Sequence, residues 1–293
     1  MPRFSKDDLR DLIAEVVFSL SSPKEMLLER PAILDEGVYD PNILKAVFTA
    51  GGPGSGKSFT TDIIFGVRLD KPSNLDPTIE PTGPWAYPKM FSHASFAGDT
   101  GLKYVNSDRF FERGLEKAGV DPSTLADFEA AAPEEYDALI NKKIRPASSA
   151  ALKRARGHYL DSRLGLIVDG TADDIEKIRR RKGRVEEAGY DTMMVFVNTS
   201  LEMALRRNAS PDRGRELPEK IVTNIWDKVQ TNKEELRRIF EDSSGGFVEI
   251  LNDAGGMPDT DVVRSIKTFV GSPVENEIGR AWIASEMERK GQS

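Results

Sequence analysis

An α/β fold on a parallel sheet is predicted by three observations. Five short apolar runs, "KAVFTA" (45–50), "LKYVN" (102–106), "LGLIVD" (164–169), "MMVFVN" (193–198) and "FVEIL" (247–251), are mostly continuous rather than alternating. That pattern suits strands covered on both faces. Helical patterns separate the runs, so strands and helices alternate, which predicts three layers. The 293 residues are 39% hydrophobic and 30% charged, an ordinary globular balance with enough apolar material for a sizeable core.

The elements follow in order. Residues 5–20 read as an amphipathic helix, with Ser5 as N-cap and Leu9, Leu12, Ile13, Val16, Val17 and Leu20 at helical spacing. Pro23, Pro31 and Pro41 then break the chain, so 1–43 reads as an N-terminal helical extension. Helices are predicted over 58–66, 109–118, 124–160, 172–188, 200–208 and 218–241, within a core spanning 44–255. Residues 67–101 hold five prolines together with Trp85, Tyr87, Phe91 and Phe96. A connection this long predicts a small packed insertion. Residues 256–293 read as a C-terminal helical extension.

Bulk charge narrows the function classes. The net charge of −7 argues against a surface wholly given to nucleic acid or anionic membrane. Residues 142–184 depart from it, with 13 Lys or Arg against 5 Asp or Glu, and "KIRRRKGR" (177–184) stands out. This region reads either as a solvated helix face or as a groove for a nucleic-acid backbone. The chain has no cysteine, which excludes disulfides and thiolate metal sites. Glu15 interrupts the first apolar stretch, and no stretch has bilayer length, so a cytoplasmic protein without a membrane partner is predicted.

The sharpest motif is "GGPGSGKS", Gly51 to Ser58, which fits the phosphate-binding pattern G-x4-G-K-[ST]. Glycines let backbone N–H groups curl around phosphate oxygens, and the following helix turns its positive end toward the same anion. Gly52, Pro53, Gly54, Ser55, Gly56, Lys57, Ser58 and Phe59 are therefore the expected ATP-binding residues. Lys57 would reach the outer phosphates, and the Ser58 hydroxyl would ligate Mg²⁺.

Three further features select among reactions. Asp169 ends a buried strand and reads as the partner of Mg²⁺ and its water. It has no adjacent Glu to polarise water, as a motor ATPase would use, and no Asn-Lys-x-Asp is present for guanine. Asp108, in "VNSDRFFE", is expected at the carboxyl edge of the sheet beside the strand carrying the loop. A carboxylate there can take a proton from an attacking hydroxyl; the competing reading is a helix N-cap. In "RRNASPDRGRELPE" (206–219), Arg206, Arg207, Arg213 and Arg215 surround Gly214, and Pro218 opens the next helix. Such a loop suits a lid over triphosphate, with Arg213, Arg215 and Arg206 as charge-stabilising residues. His158 reads as structural or solvent-facing, and Trp226 as a packing residue.

In their order, "GGPGSGKS", "VNSDRFFE", "LIVDGTADD" and "ALRRNASPDRGRELP" resemble the zeta-toxin and polynucleotide-kinase-like branch of the P-loop kinases, and look most like zeta-toxin-type proteins carried by bacteriophages. The similarity covers about 44–255. It implies a kinase-type P-loop NTPase fold with a five-stranded parallel sheet in 2-3-1-4-5 order. It also implies ATP with Mg²⁺, γ-phosphoryl transfer to a hydroxyl, Asp108 on the acceptor side and lid arginines between Arg206 and Arg215. A phage protein of this type would act in the host cytoplasm. Where relatives often carry Arg three residues after the acceptor-side Asp, this chain has Phe111. Acceptors that remain open are a nucleotide, a nucleotide sugar and a nucleic-acid 5′ end. A rival from another class is an ATP-binding interaction or virion-associated protein with a degenerate kinase core.

Overall fold

The computed structural model describes residues 37–40, 42–65, 96–97, 100–210, 217–254 and 258–291. The expected helix over 5–20 and nearly all of the 67–101 insertion lie outside them. The central strand is β1 (Lys45–Ala50), between β4 (Leu166–Asp169) and β5 (Asp191–Asn198). Beyond β4 lies β3 (Leu102–Val105), and beyond β5 lies β6 (Phe247–Leu251). All four of these pairings are parallel. Counted among themselves along the chain, the five strands run 2-3-1-4-5, as the resemblance implies. A short β2 (Phe96–Ala97) adds antiparallel to the free edge of β3, a sixth strand that sequence pattern did not reveal.

One sequence expectation is corrected. The strand leading to Asp108 does not lie beside the P-loop strand, because β4 sits between them. Parallel pairing of β4 with β1 sets Asp169 beside Thr49, so the acidic strand end stands midway between the loop and Asp108.

Both sheet faces are covered. Val47, Ile167 and Val195 face α1 (Lys57–Phe65) and α9 (Thr260–Gly271), packing with Ile64, Phe65, Ile266 and Phe269. Phe48, Val168 and Phe196 face the other way, toward α5 (Arg145–Asp161), α6 (Ile175–Glu187), α8 (Glu219–Glu241) and α10 (Glu277–Gly291). The rings of Phe48 and Phe240 lie 5.3 Å apart there; truncating a buried Phe of this kind costs about 3–5 kcal/mol. This two-sided burial is why the strands read as continuous apolar runs. α9 falls in the segment expected to be an extension, yet its apolar stripe closes the sheet.

The helix expected over 124–160 is divided. α3 (Leu125–Ala131) stops at Ala132, because Pro133 starts α4 (Pro133–Tyr136) at a position where proline needs no hydrogen donor. A π-helical stretch, Asp137–Ile144, then runs into α5, whose second residue is Pro146. With α2 (Ser107–Lys117) these form a satellite cluster around Leu115, Leu125, Tyr136, Ile140 and Ile144. Among the described residues no helix is long and apolar enough to cross a membrane.

At the amino edge of the sheet, Lys45 and Asp191 form a buried ion pair at 2.7 Å. Lys45 Nζ also donates to Ser272 Oγ and the Pro273 carbonyl, and lies 4.9 Å from the Phe269 ring centre. Asp191 also accepts the backbone N–H groups of Glu275 and Asn276. The network fastens the connection between α9 and α10 to β1 and β5.

Candidate active site

The P-loop leaves the carboxyl end of β1 and closes on α1. Gly54 (φ +77°) and Gly56 (φ +80°) occupy the left-handed region, which glycine enters without strain. Each is also crowded: a Cβ on Gly54 would overlap the Ala204 backbone, and one on Gly56 would overlap the Asn252 amide. The loop is thus backed by α7 (Leu201–Asn208) and by the turn after β6. Its open side is the N-terminus of α1, where first-turn N–H groups have no intrahelical acceptor. Ser58 and Phe59 are exposed there, Phe59 to 52%. Ser55 is buried, and its hydroxyl finds no partner among the described residues.

Two side chains hold the loop from behind. Asn252 Nδ2 donates to the Ser55 carbonyl at 2.8 Å. Arg207 donates to the carbonyls of Gly54 (3.3 Å), Ser55 (3.4 Å) and Asn252 (2.5 Å). This corrects the sequence picture of a lid segment beginning at 206. Arg206 and Arg207 belong to α7, and Arg207 supports loop carbonyls. Arg206 is exposed in the last turn of α7. Arg213 and Arg215 lie outside the described residues. The loop's two ends meet at Asn208, which is 1% exposed. Its amide donates to the Leu217 carbonyl at 2.7 Å and accepts the Leu217 N–H at 3.2 Å.

Asp169 is the hub. Its Oδ1 is ion-paired with Lys57 Nζ and accepts from Thr49 Oγ1 at 2.8 Å. Its Oδ2 accepts from Asn106 Nδ2 at 2.8 Å. Asn106 Oδ1 in turn accepts the backbone N–H of Asp108 at 2.7 Å, making Asn106 the N-cap of α2. Asp108 is therefore not the cap. It occupies the first turn, exposed, and its carboxylate has no hydrogen-bond partner among the described residues. A carboxylate in a first turn is favoured by the helix dipole. The cap of α6 is Asp174, which accepts the Lys177 N–H at 2.9 Å.

Hydrogen bonds tie the surroundings together. Trp226 Nε1 donates to the Thr199 carbonyl at 2.8 Å, and its backbone approaches Gly52. Asp253 accepts the Ser200 N–H at 2.6 Å and the Thr199 hydroxyl at 2.8 Å. These bonds, the Ser200 N–H first, hold the Asp253 carboxyl below the usual carboxylate range. His158 is exposed on α5. Among the described residues no three His, Cys, Asp or Glu side chains gather as a metal cluster.

Sequence reasoning missed Thr49, Asn106, Asn208 and Asn252. Only Asn106 carried a local signal, since Asn two residues before a helical Asp is a favoured cap. No protein-family model matches the chain, and no curated protein matches it in sequence. Several solved structures are distantly similar. One is from the PezAT chromosomal toxin–antitoxin system of the human pathogen Streptococcus pneumoniae. It shares 10% identity over 99% of this chain and 98% of that one, with a TM-score of 0.45. The AvrRxo1-ORF1:AvrRxo1-ORF2 structure with sulphate ions shares 15% identity over 94% of this chain and 72% of that one, with a TM-score of 0.47. The AvrRxo1-ORF1:-ORF2 structure with ATP shares 13% identity over 88% and 71%, with a TM-score of 0.41.

Proposed function

We propose that this chain is an ATP-dependent phosphotransferase that moves the γ-phosphoryl group to a hydroxyl of a nucleotide-type or polynucleotide acceptor. The observation carrying this reading is the bridge through Asp169. One carboxylate holds the P-loop lysine on one oxygen and, through Asn106, the start of the helix bearing Asp108 on the other. Donor-side and acceptor-side groups thereby share one carboxyl edge.

The residues fit ATP. Glycines at Gly54 and Gly56 leave a cradle that a side chain could not share with its backing, and the α1 N-terminus opens beside Lys57. The exposed Ser58 hydroxyl and Asp169 form an oxygen set suited to Mg²⁺, which would supply charge neutralisation on the phosphates. Gly52 to Ser58 bind the phosphate chain, with Phe59 at the rim. Lys57 keeps two ammonium hydrogens for phosphate oxygens while Asp169 orients it. Asp108 takes the proton from the acceptor hydroxyl on a carboxylate oxygen. The acceptor oxygen bonds to the γ-phosphorus as the bond to the β-bridging oxygen breaks, and ADP leaves. Arg206 from the end of α7, with Arg213 and Arg215 from the segment that follows it, would neutralise charge on the transferring group. Arg145, whose guanidinium lies 4.6 Å over the Phe111 ring, brings a cation to the helix that carries Asp108. The motif order supports a zeta-toxin or polynucleotide-kinase-like relative of bacteriophage type, working in the host cytoplasm.

The test uses γ-labelled ATP with a panel of acceptors: nucleosides, nucleotides, a nucleotide sugar and 5′-hydroxyl oligonucleotides. Acceptor-dependent transfer lost in Lys57→Ala and Asp108→Asn supports the reading. Saturable ATP binding without transfer to any acceptor overturns it in favour of an ATP-binding interaction module.

A further inference from the structure

The basic run "KIRRRKGR" divides into two faces of α6. Arg179 pairs with Glu235 at 2.6 Å, and Lys182 pairs with Glu186 at 2.7 Å while its ammonium lies 5.5 Å from the Phe240 ring centre. Those two are satisfied. Lys177, Arg180, Arg181 and Arg184 recur at i, i+3, i+4 and i+7, a single stripe. This stripe lines a cavity of about 270 Å³ between α5 and α6, and Arg156 of α5 joins it there. The floor is apolar, built from Phe48, Leu160 and Val168 among others.

None of these five cations makes an ion pair or side-chain hydrogen bond with another described residue. Arg156 and Arg181 are half-buried. Burial, and then the charge of Arg184, hold Arg156 below the usual arginine range. Burial, and then the charge of Arg156, do the same to Arg181, with Asp174 opposing weakly. Like charges crowded over an apolar floor are unfavourable in the absence of an anion. Lys177, Arg180 and Arg184 are exposed at the rim, so the half-buried pair is Arg156 and Arg181.

We infer that this cavity binds a small phosphorylated ligand with an apolar or aromatic body. The guanidiniums and Lys177 would take the phosphate, and the floor would take the body. The volume is at the lower end for small-molecule sites, which favours a compact ligand. A polynucleotide would need a track longer than this cavity. The site is distinct from the P-loop: it lies on the helix-covered sheet face under Phe48 and Val168, whereas the P-loop closes the carboxyl edge.

The test is calorimetric titration of the full chain carrying Lys57→Ala, which disables the P-loop, with 1-naphthyl phosphate as probe. Inorganic phosphate and a short single-stranded oligonucleotide are titrated alongside. One-to-one binding is expected, weakened about 10-fold or more by Arg156→Gln with Arg181→Gln. The melting temperature of that variant should hold or rise, because removing two repelling charges relieves the fold. Absence of saturable binding, or binding unchanged by the double substitution, overturns the inference. Tighter binding of the oligonucleotide, lost in the same variant, overturns it in favour of a nucleic-acid site.

Discussion

The two edges of the sheet each pair a lysine with an aspartate, and the pairs differ in what surrounds them. At the amino edge, Lys45 and Asp191 have side chains 1% and 2% exposed, and both are saturated by further bonds. At the carboxyl edge, Lys57 and Asp169 are 14% and 8% exposed. There the aspartate also accepts from Thr49 and Asn106, while the lysine bonds only Asp169 among the described residues. A saturated pair is a fastener. A pair whose cation keeps spare donors beside an open helix end is a receptor for an incoming anion.

That contrast can be broken at either edge. The largest effect is expected from Asp191→Ala, which strands a buried ammonium. It should cost about 3–5 kcal/mol in chemical denaturation and leave ATP affinity of the folded fraction unchanged. A loss comparable to that of a surface pair would remove the distinction. Next comes Lys57→Ala, expected to lower transfer about 10²–10³-fold with a smaller stability loss than Asp191→Ala, since Asp169 keeps two donors. Equal losses of stability in the two variants would mean both pairs are structural.

Asn106 sharpens the comparison further. Asn106→Ala should lose about 1 kcal/mol with the α2 cap and lower the transfer rate. Asn106→Asp can restore the cap but sets a second carboxylate against Asp169. Recovered stability without recovered transfer is the expected split; recovery of both would reduce Asn106 to a cap. The smallest effect is at Tyr190, whose hydroxyl donates to the Leu164 carbonyl at 2.9 Å. Burial pushes its phenol above the usual tyrosine range. Its contribution is therefore complete below about pH 10, the unfolded value, and is lost as pH rises beyond it. Tyr190→Phe should cost about 1 kcal/mol at neutral pH and flatten that alkaline decline in a denaturation series.

Sequence pattern identified the strands buried on both faces, as at 45–50 and 166–168, and also the half-buried edge strand at 247–251. It began β5 two residues late because Asp191 and Thr192 look like loop residues. Both are buried, since Lys45 takes the first and Glu186 and Ser243 bond the second. The P-loop, Asp169 and Asp108 were legible as motifs. The asparagines were not, because an amide has no periodic signature and its partner is remote. Asn106 bonds a residue 63 positions away, and Asn252 one 197 away. Four arginines clustered over 206–215 do not reveal in sequence that a helix end divides them. The last turn of α7 turns Arg207 toward the P-loop carbonyls and leaves Arg206 exposed.

The buried amide of Asn208 carries an evolutionary consequence. It ties the segment's point of departure to its point of return, so the ends of α7 and α8 are held together by a residue outside the segment. Doubling the length of a loop held at its base adds only about 0.6 kcal/mol of closure entropy. A change in the length of the segment that Asn208 closes therefore carries only a small entropic cost at its base. If that segment bears on the choice of acceptor, a single side chain lets acceptor preference drift while the phosphate cradle stays fixed.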